Sequence, residues 1–257
     1  AQFLFERVVA RDSLDWKFLT LEVAPSRLAN ALIGVSAMGF CGCMLAPPLQ
    51  EPAIGLTTSA SPAAKFAGGC NLLECTKDGQ LIGHLTLGRG ALDSIRLHAD
   101  PTTANILLLG TSLLSRSLAL ELTLAGTLGI TIADPWDAQA SVLTDAINAI
   151  EGGNARTVED ALTLSYESID IVIATEENRP LPTEFKLPKF REDLVVVDTS
   201  LDPKASSIIK EATAANSCQI DGLEVTAATM AISYRDLTGI EPDTEALREA
   251  LDEFLDY

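Results

Sequence analysis

The residues best spaced for chemistry lie between Asn105 and Asp134. Asn105-Ile-Leu-Leu-Leu-Gly110 is a short apolar run that stops at a glycine, as a strand buried on both faces does. Ser115 to Ala125 then spaces its apolar residues at helical period, with Gly126 where a helix would stop. A second run, Gly129-Ile-Thr-Ile-Ala133, ends at Asp134. Strand, turn, helix, strand and an acid roughly twenty residues past the first glycine form a dinucleotide-binding layout. In it the helix N-terminus takes the pyrophosphate and the acid a ribose hydroxyl. The turn reads Gly110-Thr-Ser-Leu-Leu-Ser115 and keeps only the first of three expected glycines. Ser112 stands where a glycine would let the backbone approach a phosphate, and two leucines follow it. Gly110, Ser112, Ser115 and Asp134 are the candidate cofactor contacts, but no cofactor is expected to bind tightly. Asp134 serves equally well as an N-cap ahead of an expected helix over 137–150. Arg116 reads more simply as a solvated helix residue than as an anion contact. His84 and His98 have no matched acid or nucleophile and read as structural.

The five cysteines, Cys41, Cys43, Cys70, Cys75 and Cys218, show no CxxC pair and no zinc spacing, so no metal site is expected. Cys41 and Cys43 alternate along an expected strand and share a face as small hydrophobes. This usage suits a reducing compartment, and the expected location is cytoplasmic. The net charge is 18 − 36 = −18, with an isoelectric point near 4.4. Such a surface repels phosphate backbones and anionic membranes, so neither nucleic acid nor membrane is an expected partner. Hydrophobic residues make up 47% of the chain, with a mean hydropathy of +0.22, which promises a sizeable core. No apolar run is long enough to span a bilayer, and no signal peptide is visible. The chain opens at Ala1 without a methionine, so fusion to an upstream segment is kept open, as is a homodimer.

The elements that must position these residues can be read in order. A helix ends near residue 11, Trp16–Val23 alternates like a strand, and Pro25–Ala37 is a helix. Gly39–Ala46 is a strand stopped by Pro47-Pro48, and short helices are expected at Pro52–Leu56 and Pro62–Ala67. Asn71–Thr76 and Gln80–Thr86 flank Asp78-Gly79, a hairpin signal. A helix over Gly88–Leu97 leads into the central unit. Beyond it come strands at Ile169–Ala174, Leu194–Asp198 and Cys218–Asp221, with a helix over Ala205–Ala215. From Gly222 onward the chain is helical. Strand–helix alternation argues a doubly wound parallel sheet.

Four stretches then resemble the shikimate dehydrogenase family over nearly the whole length. They are Gly39-Phe-Cys-Gly42; Gly69-Cys-Asn71 with Asp78-Gly-Gln-Leu-Ile-Gly83; Thr86-Leu-Gly88-Arg-Gly90; and Asp221-Gly-Leu223 with Thr238-Gly-Ile-Glu-Pro-Asp243. The resemblance implies an α/β fold of two domains. One is an N-terminal α/β substrate-type domain, residues 1–98 completed by helices over 222–257. The other is a Rossmann-like NAD(P)-binding-type domain over 99–221. It also implies NADP-dependent interconversion of 3-dehydroshikimate and shikimate, in aromatic amino acid biosynthesis. The family's catalytic lysine matches Gln50 and its partner aspartate matches Leu87. Neither can ionise, so no acid–base pair remains and a catalytically inactive homologue is the expectation. Two alternatives stay open: an active NAD(P)-dependent oxidoreductase of the shikimate/quinate type, and a structural fragment of a larger polypeptide. Asn71 and Thr86 match substrate-binding residues, though they serve as well as backbone partners within the hairpin. The segment matching the family's 2′-phosphate motif is Asp134-Pro-Trp136, which favours NAD over NADP if either binds. A small molecule is the remaining expected partner.

Overall fold

Strands that are apolar on both faces and strands that alternate assemble into two different sheets. The computed structural model describes residues 2–158, 168–175, 179, 181–182, 185, 187, 189–201 and 206–255. Ala205, the expected start of one helix, lies outside the described residues. The chain divides into two compact units, Ala1–Gly90 with Ala227–Tyr257, and Ala91–Thr226.

The first unit contains α1 (Gln2–Arg11), α2 (Leu28–Ala37), β1 (Gly42–Met44), α3 (Gln50–Ala53), β2 (Ser59–Ala60), α4 (Pro62–Ala67), β3 (Leu72–Cys75) and β4 (Leu81–His84). Its sheet runs β1-β3-β4-β2, with β2 parallel to β4 and the other pairs antiparallel. Gly79 takes a φ of +77° in the β3–β4 turn, the left-handed conformation that an Asp-Gly pair supplies. Trp16–Val23 is not a strand in the described residues. Instead Trp16 and Phe18, with Leu14 just before them, press onto a core cluster without a ladder partner. Period two reports which side chains are buried; it does not guarantee a neighbouring strand.

α5 (Leu87–His98) starts in this unit and ends in the next. The second unit continues with β5 (Asn105–Leu109), α6 (Leu113–Ala125), β6 (Gly129–Ala133), α7 (Ala140–Asn148), β7 (Ala155–Thr157), β8 (Ile171–Ala174), β9 (Val195–Asp198), α8 (Ser207–Ala214) and β10 (Cys218–Asp221). All six strands are parallel, in the order β10-β9-β8-β5-β6-β7. The order reverses between β5 and β8, the switch point of a doubly wound sheet. Every residue of β8 and β9 is buried, as strands covered on both faces require.

α9 (Gly222–Thr238) and α10 (Thr244–Phe254) end the chain. Ala227, Met230, Ala231 and Tyr234 of α9 and Leu247, Ala250 and Leu251 of α10 form one core with Leu4, Phe5, Val8 and Val9 of α1. The first unit's interior therefore joins the two ends of the sequence. Tyr234 is buried, and its hydroxyl donates to Asp12 Oδ2 at 2.7 Å. α5 meets α9 at Gly90, where an added Cβ would lie 2.2 Å from Thr229 Oγ1 and 2.7 Å from the Thr229 backbone nitrogen.

Candidate functional site

In the first unit the two substrate-type residues sit at opposite ends of the β3–β4 hairpin. Asn71 immediately precedes β3, and Thr86 immediately precedes α5. Asn71 Nδ2 donates to Thr86 Oγ1 at 2.9 Å, and the Thr86 backbone N–H donates to Asn71 Oδ1 at 2.8 Å. Thr86 Oγ1 lies 3.0 Å from Ser233 Oγ, and the Ser233 hydroxyl donates to the Thr229 carbonyl at 2.9 Å. Ser233 has one proton and gives it to that carbonyl, so the Thr86 hydroxyl must donate to Ser233. The protons run one way, from amide to hydroxyl to hydroxyl to carbonyl. Asn71 is 3% exposed, Thr86 4% and Ser233 0%. Both retained side chains are thus satisfied internally, and their backbone is bound as well, with Leu45 N–H donating to Asn71 O at 2.8 Å.

Gln50 and Leu87 occupy the positions of the expected proton-transfer pair. Gln50 Nε2 donates to the Leu45 carbonyl at 2.8 Å, which fastens the turn after β1 to the start of α3. Leu87 is half-buried in the first turn of α5. The two histidines pair with acids: His84 Nε2 lies 3.3 Å from Glu74 Oε2, and His98 Nε2 lies 2.8 Å from Glu224 Oε1.

In the second unit the cofactor-type residues do come together, at the carboxyl ends of β5 and β6. Gly110 takes a φ of +101°, which explains the one glycine kept in the turn. Ser112 is the N-cap of α6, its hydroxyl accepting from the Ser115 N–H at 3.4 Å. A second one-way chain starts there. The Thr175 hydroxyl donates to the Leu109 carbonyl at 2.9 Å, so it accepts from Ser115 Oγ at 2.5 Å, and Ser112 Oγ, 3.1 Å away, donates to Ser115. Leu113 is buried and Leu114 half-buried, so one of the two leucines expected to crowd the turn packs inward instead. Arg116 is half-buried rather than solvated.

Asp134 is not the N-cap of the following helix, which begins at Ala140 with Gln139 as its cap. Its carboxylate closes the preceding turn. Oδ1 accepts from the N–H groups of Trp136 (3.2 Å) and Asp137 (3.0 Å), and Oδ2 from Gln139 N–H (3.2 Å) and the Thr111 hydroxyl (2.6 Å). Four donors fill the capacity of a carboxylate, a limit that the spacing of Asp134 alone could not reveal. Beside it lies a cavity of about 300 Å³ lined by Asp134, Pro135, Ala138, Thr157, Val158 and Phe185, and no described lining residue is basic. Arg179 lies 5.4 Å from the Trp136 ring centroid and bonds Asp137 through two nitrogens, which holds the Asp137 carboxyl below its usual range. Among the described residues no group of three His, Cys, Asp or Glu could hold a metal ion, and no helix is long and apolar enough to cross a membrane.

No protein-family model matches the chain. A shikimate dehydrogenase (NADP+) of Methanococcoides burtonii is 31% identical over 250 residues, covering 95% of this chain and 89% of that protein. Among solved structures, a ligand-free 5-ketofructose reductase of Gluconobacter sp. strain CHM43 superposes with a TM-score of 0.88 at 24% identity, covering 98% of this chain and 93% of that one. Shikimate 5-dehydrogenase from Listeria monocytogenes, in complex with shikimate and NAD, gives a TM-score of 0.88 at 23% identity, covering 97% and 91%. With a relative of that identity matched along nearly its whole length, and with the parallel sheet and its mixed-sheet companion in place, the chain belongs to the shikimate dehydrogenase family.

Proposed function

We propose that this chain is a catalytically silent member of its family, unable to interconvert 3-dehydroshikimate and shikimate. The observation that carries the reading is the pair Gln50 and Leu87: one is an amide spent on the Leu45 carbonyl, the other a half-buried hydrocarbon. Hydride transfer to or from a hydroxyl-bearing carbon needs a partner for the hydroxyl proton, and neither side chain titrates. The closed hydrogen-bond chain through Asn71, Thr86 and Ser233 supports the same reading, because those groups have little left to offer a polyol.

The cofactor half follows the same logic. The Ser112 hydroxyl and the filled carboxylate of Asp134 occupy the places where a pyrophosphate and a ribose would bind, so any dinucleotide binds weakly. NAD is favoured over NADP, because Pro135 and Asp134 offer a 2′-phosphate no cation. The cavity beside Asp134 leaves room for a small molecule in this unit. The test is a thermal-shift and turnover screen with shikimate, quinate, NAD and NADP. Turnover at background for both alcohols is the expected result. A clear turnover number, abolished by changing Asn71 or Thr86, would instead mean that an active oxidoreductase has found other proton carriers. A 5-ketofructose reductase with this fold makes a polyol panel a sensible extension of the screen.

A further inference from the structure

Three of the five cysteines gather where β1 and β3 pair, and the silent site uses none of them. The register sets Gly42 opposite Glu74 and Cys43 opposite Leu73, so the next step outward sets Cys41 opposite Cys75. Their backbones are bonded, Cys75 N–H to the Cys41 carbonyl at 2.8 Å. One step inward the strands approach closely, since a Cβ added at Gly42 would lie 2.3 Å from the Leu73 carbonyl oxygen. Directly opposite residues of a hydrogen-bonded antiparallel pair have Cα atoms about 5.5 Å apart and side chains on one face. That separation falls within the roughly 5.5–6 Å most common for disulfides. Cys41 is exposed and lies just outside β1, where the backbone has latitude to adjust.

We propose that Cys41 and Cys75 are a reversible redox pair, joined across the β1–β3 ladder by a small-molecule disulfide and released by thiols. The exposed Cys41 thiolate attacks one sulfur of glutathione disulfide, expelling one glutathione thiolate and leaving a mixed disulfide. The Cys75 thiolate then attacks the Cys41 sulfur and expels the second glutathione. Two protein thiols are oxidised, one small disulfide is reduced to two thiols, and the two protons pass to the departing thiolates. Cys43, on the same face two residues along, is the competitor. Its burial, with Cys75, Cys70 and Cys41 nearby, pushes its thiol up to about 12, which leaves almost no thiolate to react. Desolvation raises Cys41 and Cys75 as well, so the exchange is slow at neutral pH. Oxidation closes the segment from Cys41 to Cys75, which carries both Gln50 and Asn71, into a covalent loop.

The experiment treats the full chain with glutathione disulfide, alkylates the remaining thiols and maps peptides. Trypsin releases residues 28–65, with Cys41 and Cys43, and residues 66–77, with Cys70 and Cys75. The expected result is a cross-link between these peptides. It is lost in Cys41→Ser and Cys75→Ser and kept in Cys43→Ser and Cys70→Ser. The melting temperature of the oxidised protein rises by roughly 5–10 °C, and excess thiol reverses the change. Under reducing conditions Cys41→Ser should melt with the parent, which separates lost chemistry from lost folding. Three results would overturn the proposal: a cross-link that survives Cys41→Ser, a lasting glutathione adduct on Cys41 with Cys75 still alkylatable, or no reaction at all.

Discussion

Thr86 stands in the middle of a line of donors, taking a proton from Asn71 and passing one to Ser233. Replacing its hydroxyl by a methyl of similar shape breaks the line at both sides inside a buried region. Thr86→Val should therefore lower stability by about 1–3 kcal/mol, read from urea unfolding, because the Asn71 amide loses its partner. Thr86→Ser, which keeps the hydroxyl, should lose clearly less. Equal stability for the parent and Thr86→Val would show that the network matters little to the fold and return Thr86 to the role of ligand contact. Gln50→Lys combined with Leu87→Asp places an ionisable pair at these two positions and changes nothing else. Turnover is expected to stay at background in that double variant while the cofactor turn remains closed. The sequence offers the hairpin half of this closure, Asn71 and Thr86 as backbone partners, but not the rest. Asn71 and Thr86 are plain to see as motif residues, but their fate depends on Ser233, 147 positions beyond Thr86.

The N-terminus of α6 caps itself. Ser112→Gly removes the hydroxyl that covers the Ser115 N–H, and glycine is itself a tolerable N-cap, so stability should change by only a few tenths of a kcal/mol. NAD titrated by calorimetry should bind more tightly to this variant than to the parent. Unchanged affinity would shift the blame from the turn to the filled carboxylate of Asp134. The crossing of α5 and α9 makes a second, harsher prediction. Gly90→Ala puts a methyl against the backbone of Thr229, so the loss should exceed about 3 kcal/mol, and Thr229→Ala should not rescue it. A mild Gly90→Ala phenotype in denaturant would mean that the helices separate easily. Elements were the most legible level of this protein. The central strands are short, mostly apolar and ended by Gly110 or Asp134, and burial of all but their first residue leaves a sequence few other ways to look. β7 carries no such signal, because its Ala-Arg-Thr is an edge strand with two exposed residues. Trp16–Val23 shows the opposite case: burial alternates from Leu14 to Phe18 without ladder hydrogen bonds, and Leu19 to Glu22 lie exposed.

At the scale of the whole molecule, charge and chain path matter most. A net charge of −18 pushes the folded chain apart, and salt relieves that push as the Debye length falls from about 30 Å at 0.01 M to about 3 Å at 1 M. The melting temperature should climb steadily over that range of potassium chloride, with sulfate unnecessary for the effect. A flat profile would mean that the acids are spaced too widely to repel. The path of the chain carries a different consequence. Leu4, Phe5, Val8 and Val9 touch Phe18 and its neighbours early in the chain, but the other buried members of their core cluster all lie beyond residue 226, whereas Ala91–Thr226 is one unbroken stretch. On a ribosome adding about 5–20 residues per second, the face of α1 would wait roughly 10–50 s for those partners to be made. Residues 91–226 can settle while α1 is still incompletely covered, so a helix made before them is buried after them. That delay is a window in which a holdase can bind α1 before residues 227–251 arrive to cover it.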